Sequence, residues 1–429
     1  MPAAAKTTDD RRLLRLARKP GVRALRLAFV DGAGSWHSVD VPTSDADALT
    51  TTGVAVELTS VEGLPDGVRS QARLRGDVTT ARFVPGGDGR RGGFVRVPCD
   101  LVDASGAALV GCPRGALSVQ TGLLRTHGIG VEVAASLDVA LVGRDDANGV
   151  LARPLGAKVN VLRRKLGDAL AAARSSGVSI EVVDGSSLRC VVAERTPVAL
   201  ADELAAMTDL VRALAAGVGL IATTMPALPN GHGRSGVRMR LSFASPRRDV
   251  GLVAADGPAG LGLHGGRVVA GLLHHLRALC AFANPTVNSY KRRIVDPTLP
   301  SHVAFASPTV DAAALQVAVA DERTLSIETA IADATMPAHA TLAAFLAAVV
   351  DGLGQELVPP APVRGAVDLV RCEPLPASLI DAVVACDRDA VLGRALGAVH
   401  RLHVDARKRD CAAFAASVTD WEVRRYLGG

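Results

Sequence analysis

The sequence lacks three things that would have settled its class quickly. It has no CxxC pair among its seven cysteines, no long run of Lys and Arg, and no apolar run of bilayer length. The cysteines (Cys99, Cys112, Cys190, Cys280, Cys372, Cys386, Cys411) are odd in number and scattered. That pattern fits reduced thiols and argues against a disulfide frame or a zinc site. Net charge is only +5 over 429 residues, which gives no footprint for nucleic acid. The most apolar stretches are 200–222 and 340–353. The first is broken by Asp202, Glu203, Asp209 and Arg212, and the second is too short for the roughly 20 residues a span needs. The first twenty residues are charged throughout and hold no signal-peptide core. These absences predict a cytoplasmic chain with no membrane and no nucleic-acid partner.

Apolar residues make up 48%, ample for a core, and the length predicts two or three domains, or one small domain on a large one. Residues 1–20 read as a helix with Leu13, Leu14 and Leu16 on one side. Alternating apolar and polar residues predict strands at 22–31, 36–42, 78–85 and 92–102, with a turn at 31–35. The glycine-rich stretch at 85–93 reads as a surface loop. After a helix starting near Pro113 the pattern changes. Strict alternation at 131–143 predicts a strong strand, followed by a helix to Gly177 and strands at 178–185 and 186–194. A long helix to about Gly219, strands through 220–244, a helix at 267–285 and strands at 312–320 and 324–332 complete the pattern. The last ninety or so residues read as helical. The fold class is α+β: a small N-terminal domain with a leading helix at 1–111 and a large domain of antiparallel strands and long helices at 112–429.

Nine residues, Asn284-Pro-Thr-Val-Asn-Ser-Tyr-Lys-Arg292, resemble a signature of the glutamine synthetase family. TSVEGL at 59–64, the segment 95–117, ATTMPALP at 222–229 and VTDWEVRRYL at 418–427 resemble further family segments in the same order. The resemblance implies an N-terminal β-grasp domain and a C-terminal sheet funnel with helices outside. It also implies ring oligomers, up to dodecamers, with active sites between neighbouring subunits. The chemistry implied is ATP-dependent amide formation, in which Mg or Mn ions held by Glu and His neutralise phosphate and arginines hold the reacting anions.

Residue by residue, the family pattern is only partly present. Of six metal-ligand positions, three carry acids: Asp138, Glu181 and Glu328. The other three fall on Ser136, Leu188 and Arg238. The phosphate-facing His falls on Arg240. Of the arginines, Arg292 is kept, and the others fall on Asp311, Gln316 and Ala330. The flap acid falls on Thr298, the ammonium-binding acid lent by a neighbouring subunit falls on Glu57, and Ser242 keeps the nucleotide-base position. ATP or ADP binding is therefore expected to be weak or absent, as is Mg or Mn binding.

Three readings stand. The chain is a pseudoenzyme that serves as a structural or regulatory ring subunit, alone or mixed with an active paralogue. Alternatively, it is a divergent carboxylate–amine ligase with a rebuilt funnel, or a conventional glutamine synthetase. Arg238 and Arg240 share one strand face, and Arg238 is expected to pair with a buried Glu328 where the family holds metal. The 284–292 segment is read as a loop shaped by Asn and Pro. His274 and His275 are expected to be surface or satisfied residues, and Trp421 to anchor the last helix.

Overall fold

The computed structural model describes residues 8–31, 34–56, 58, 72–85, 92–109, 111–144, 151–152, 156–173, 175–229, 235–247, 249–296, 298–306 and 312–427. Glu57, Asp311 and most of the 85–93 loop lie outside them.

The N-terminal part begins with α1 (Thr8–Ala17) and the antiparallel hairpin β1 (Val22–Val30) and β2 (Trp36–Val41). It continues through α2 (Ala46–Thr50), β3 (Val54–Ala55), β4 (Arg73–Gly76), β5 (Arg82–Pro85) and β6 (Gly93–Val102). The path β2-β1-β6-β4-β3 has a parallel β1–β6 pair at its centre, and β5 pairs with β6. Leu25, Leu27, Phe29, Val95, Val97 and Leu101 face one core with Leu13 of α1 and Leu49 of α2. The strand expected at 78–85 starts only at Arg82. The Asp77 carboxylate accepts from the Thr79 amide (3.0 Å) and hydroxyl (2.6 Å), which bends the chain into a turn there.

The larger part opens with α3 (Pro113–Thr126), whose Pro113 occupies the first turn where no amide bond is lost. Then come β7 (Gly130–Arg144), β8 (Leu151–Ala152), α4 (Gly156–Ala172), β9 (Val178–Asp184), β10 (Ser187–Arg195) and α5 (Pro197–Ala216). Next are β11 (Ile221–Thr223), β12 (Gly236–Ala244), α6 (Leu263–Ala283), α7 (Val287–Val295), β13 (His302–Ala306), β14 (Ala313–Asp321) and β15 (Thr324–Thr329). Helices α8 (Ala338–Gly354), α9 (Ala366–Leu369), α10 (Leu379–Asp387), α11 (Ala390–Leu396), α12 (Ala398–Ala416) and α13 (Asp420–Tyr426) complete the chain.

The second sheet runs β13-β14-β15-β12-β7-β10-β9. Its strands alternate, so one face buries Val133, Leu137, Met239, Leu241 and Ile327 against the helices. The other face presents polar residues and forms the funnel. No described helix is long and apolar enough to cross a membrane.

Two local expectations are corrected. The 284–292 segment is not simply a loop: Thr286 caps α7 in a reciprocal box with Ser289, so the signature is a turn leading into a helix. Trp421 does not anchor α13. It is 59% exposed, its ring meets Tyr426 edge-on, and no described residue of that helix is buried.

His274 is exposed, and His275 is buried between two carboxylates. The His275 Nδ1 lies 2.6 Å from Asp389 and its Nε2 lies 3.1 Å from Asp351. An imidazole flanked this way is best satisfied as a double donor. Burial opposes the charge, but the two carboxylates win and raise the pKa. This contribution to stability is therefore complete below the unfolded value of about 6.5 and is lost as pH rises through the raised folded value. A thermal melting series is expected to show the midpoint falling as pH rises above about 6.5. His275→Gln should flatten that slope.

Candidate functional site

The funnel face is built by alternation. On β7, Ser136 and Asp138 point away from the core, and on β12 Gly236, Arg238, Arg240 and Ser242 do so. The register sets Arg238 beside Ser136, Gly236 beside Asp138, and Arg240 beside Glu328 of β15, which is in turn opposite Gln316 of β14. On β10 the outward residue opposite Asp138 is Arg189.

Leu188 does not belong to this face. It is 0% exposed and packs in the core with Cys190 and Val192. One residue on, Arg189 takes the outward position, because a one-residue step along a strand crosses the sheet. The alternation Leu188, Cys190, Val192 carried that signal in the sequence.

Asp138 and Glu328, in the middle of the face, are each answered by a guanidinium. Arg189 grips Asp138 in a fork, Nε to Oδ1 at 2.7 Å and Nη2 to Oδ2 at 2.9 Å. That bond raises the Arg189 pKa, with Glu181 of β9, directly across from it, adding to the pull. Arg238 Nη1 donates to Glu328 Oε1 at 2.7 Å, the pair that the family resemblance implies. The expectation that Glu328 is buried is corrected: the Arg238 side chain is 53% exposed and that of Glu328 34%. An ion pair this open contributes about 0–1 kcal/mol, so Arg238→Ala is expected to cost no more than that in a denaturant melt. Arg240 lies 3.5 Å from Glu194, and the Ser242 hydroxyl donates to the same carboxylate at 2.7 Å. Sequence reasoning missed Arg189 and Glu194.

Arg292 is buried behind this face. It donates to the Ala332 carbonyl at 3.1 Å and lies so close to Gly236 that any Cβ there would strike its guanidinium. Thr298, exposed in the turn between α7 and β13, donates to Asp296 through its amide (3.2 Å) and hydroxyl (2.6 Å). A cavity of about 510 Å³ opens between these groups, lined by Ser136, Ser187, Arg189, Arg238, Arg292 and Asp296.

A family model described as glutamine synthetase, catalytic domain, matches residues 110–426. This chain belongs to the glutamine synthetase family. A glutamine synthetase from Halobacterium salinarum is 28% identical over 99% of this chain and 98% of its own length. One from Thermotoga maritima is 26% identical over 96% and 98%. Among solved structures, a GmaS/ADP complex superposes with a TM-score of 0.82 at 21% identity, covering 97% of this chain and 99% of that one. A structure described as a novel glutamine synthase homolog gives 0.74 at 23% identity, covering 96% and 99%. These structures share the fold, two-domain α+β with the funnel in the larger part.

The family uses divalent metal, and the donor set here does not fit it. Both oxygens of Asp138 and one of Glu328 are taken by arginine, and Glu181 is exposed on β9 beside Arg189. Among the described residues no three of His, Cys, Asp and Glu come together in a way that could hold a metal ion. Arg189 and Arg238 add fixed positive charge beside these carboxylates, which opposes a dication there.

Proposed function

We propose that this chain is a pseudoenzyme of the glutamine synthetase family, a structural or regulatory subunit that does not form glutamine. The observation that supports it is the pairing of Arg189 with Asp138 and of Arg238 with Glu328 at positions where the chemistry needs metal ligands. Each cation neutralises a carboxylate in place, leaving neither free for Mg or Mn. Gln316 and Ala330 stand where the family places arginines for phosphate and substrate, which removes transition-state stabilisation as well. ATP or ADP then binds weakly or not at all. The test is a coupled assay with ATP, glutamate and Mg or Mn. No ammonium-dependent ADP release above background is expected. Turnover near about one per second would overturn the reading.

One observation favours the alternative, a divergent amide-forming ligase. The funnel cavity remains open, and the Ser187 hydroxyl on its wall is buried with no partner among the described residues. A ligase reading requires ATP consumption with some carboxylate and amine pair. The absence of ATP binding by calorimetry, with and without Mg, removes it.

We further propose a division at 111/112, a cytoplasmic location and a homo-oligomeric ring or a mixed ring with an active paralogue, with Glu57 lent to a neighbour's funnel. The half-open funnel and the exposed Trp421, Tyr426 and Leu427 fit a chain that is covered by other subunits. Sedimentation is expected to give a species several times the 44.1 kDa of one chain, and a monomer at micromolar concentration would count against it.

A further inference from the structure

A second cavity, of about 650 Å³, lies between the N-terminal sheet and helices α4 and α5, away from the funnel. The register of β2, β1, β6 and β5 aligns Asp40, Arg26, Arg96 and Arg82 in one row across the sheet. Three arginines thus stand side by side, their backbones at strand spacing. The outer two are answered. Arg26 forks onto Asp40 at 2.7 and 2.8 Å, and Arg82 lies 3.6 Å from Glu203. Arg96, the middle one, makes no hydrogen bond or contact ion pair among the described residues. It lines the cavity, and burial lowers its pKa despite the more distant fields of Glu203, Asp202 and Asp209.

The rest of the wall is largely apolar: Trp36, Val84, Phe94, Leu210 and Leu214. Arg26 covers the Phe94 ring at 3.9 Å from its centre. Lys165 and two acids, Asp168 and Asp209, also reach the wall. Burial raises the Asp209 pKa, so it is a poor place for further negative charge. A smaller cavity of about 370 Å³ shares Trp36 and Asp209.

We propose that this cavity binds a small organic carboxylate with an apolar or aromatic body, its carboxylate forked onto Arg96. The volume falls in the range of small-molecule sites, and a guanidinium matches a carboxylate with two parallel bonds. An arginine fork also suits phosphate, but Asp168 and Asp209 outnumber Lys165 on the wall and disfavour a dianion. The occupant would touch β1, β2, β6 and α5 together and so tie the two domains beside the Trp36–His339 stack. The inference does not depend on what the funnel does.

The test uses the full chain carrying Trp421→Phe, which leaves Trp36 as its sole tryptophan. Fluorescence is titrated with 4-phenylbutyrate, its neutral amide and phenyl phosphate. A saturable change with the carboxylate is expected, with affinity about 10- to 100-fold lower for the amide. Arg96→Met should lose the same factor and melt no lower than its parent, because it removes an unanswered charge. Arg96→Lys should fall between. No saturation up to about 10 mM, equal affinity for the amide, or tighter binding of phenyl phosphate would overturn the proposal. So would an Arg96→Met chain that fails to fold, since the protein itself would then be holding the guanidinium.

Discussion

Replacing Arg114 by Met is expected to destabilise the chain by about 3–5 kcal/mol, the largest effect of any single arginine here. Arg114 sits in the first turn of α3 and is almost wholly buried. Its guanidinium reaches Asp77 (2.5 Å), Asp100 (2.6 Å) and Asp202 (3.0 Å), joining the N-terminal sheet to α5. Asp202 also accepts from His339 on α8 at 2.8 Å. Burial resists the Arg114 charge, yet the three carboxylates hold its pKa far above the ordinary value. Without it three acids crowd one site, two of them part-exposed and Asp202 buried. The same network sets a pH response. Burial alone would raise the Asp202 pKa, but Arg114 and His339 bring it below normal. Its contribution is therefore present above the unfolded carboxylate value of about 3.9 and is lost as pH falls through the lower folded value. Denaturant melts at pH 7 check the first claim. If Arg114→Met costs under about 1 kcal/mol, the network is not holding the domains together.

The second large effect separates two adjacent residues. Leu188→Glu is expected to cost more than about 4 kcal/mol or to abolish folding, because it places an unpaired carboxylate in the core between β10 and its helices. Arg189→Glu, one residue on, faces the funnel and is expected to cost only about 1 kcal/mol, from like charges at Asp138 and Glu181. Solubility and thermal midpoints of the two variants decide it. Equal tolerance at both positions would contradict the register of β10 on β7.

The strands β7 and β12 declare themselves because their apolar residues recur at every second position, which also put Arg238 and Arg240 on one face. The fold followed from the signature at 284–292. Leu188 is a core residue although the family resemblance, carried through the turn at Asp184–Gly185, reaches it: one residue of slip along a strand reverses the face. The short strand β13 shows no alternation, being three-fifths buried on a parallel pairing with β14. The Arg114 network was invisible because its partners lie 14, 37 and 88 residues away. The exposure of Glu328 and Arg238 depends on how widely the funnel opens, which no local pattern encodes.

In the proposed pseudoenzyme, arginine has taken the place of metal. Manganese titration followed by electron paramagnetic resonance, on the intact chain and on the variant Ser136→Glu/Arg189→Glu/Arg238→His, addresses that directly. The intact chain is expected to leave the free-ion signal undiminished at concentrations below about 1 mM, and the triple variant to bind at least tenfold more tightly. Two or three sites filling at micromolar manganese in the intact chain would contradict it.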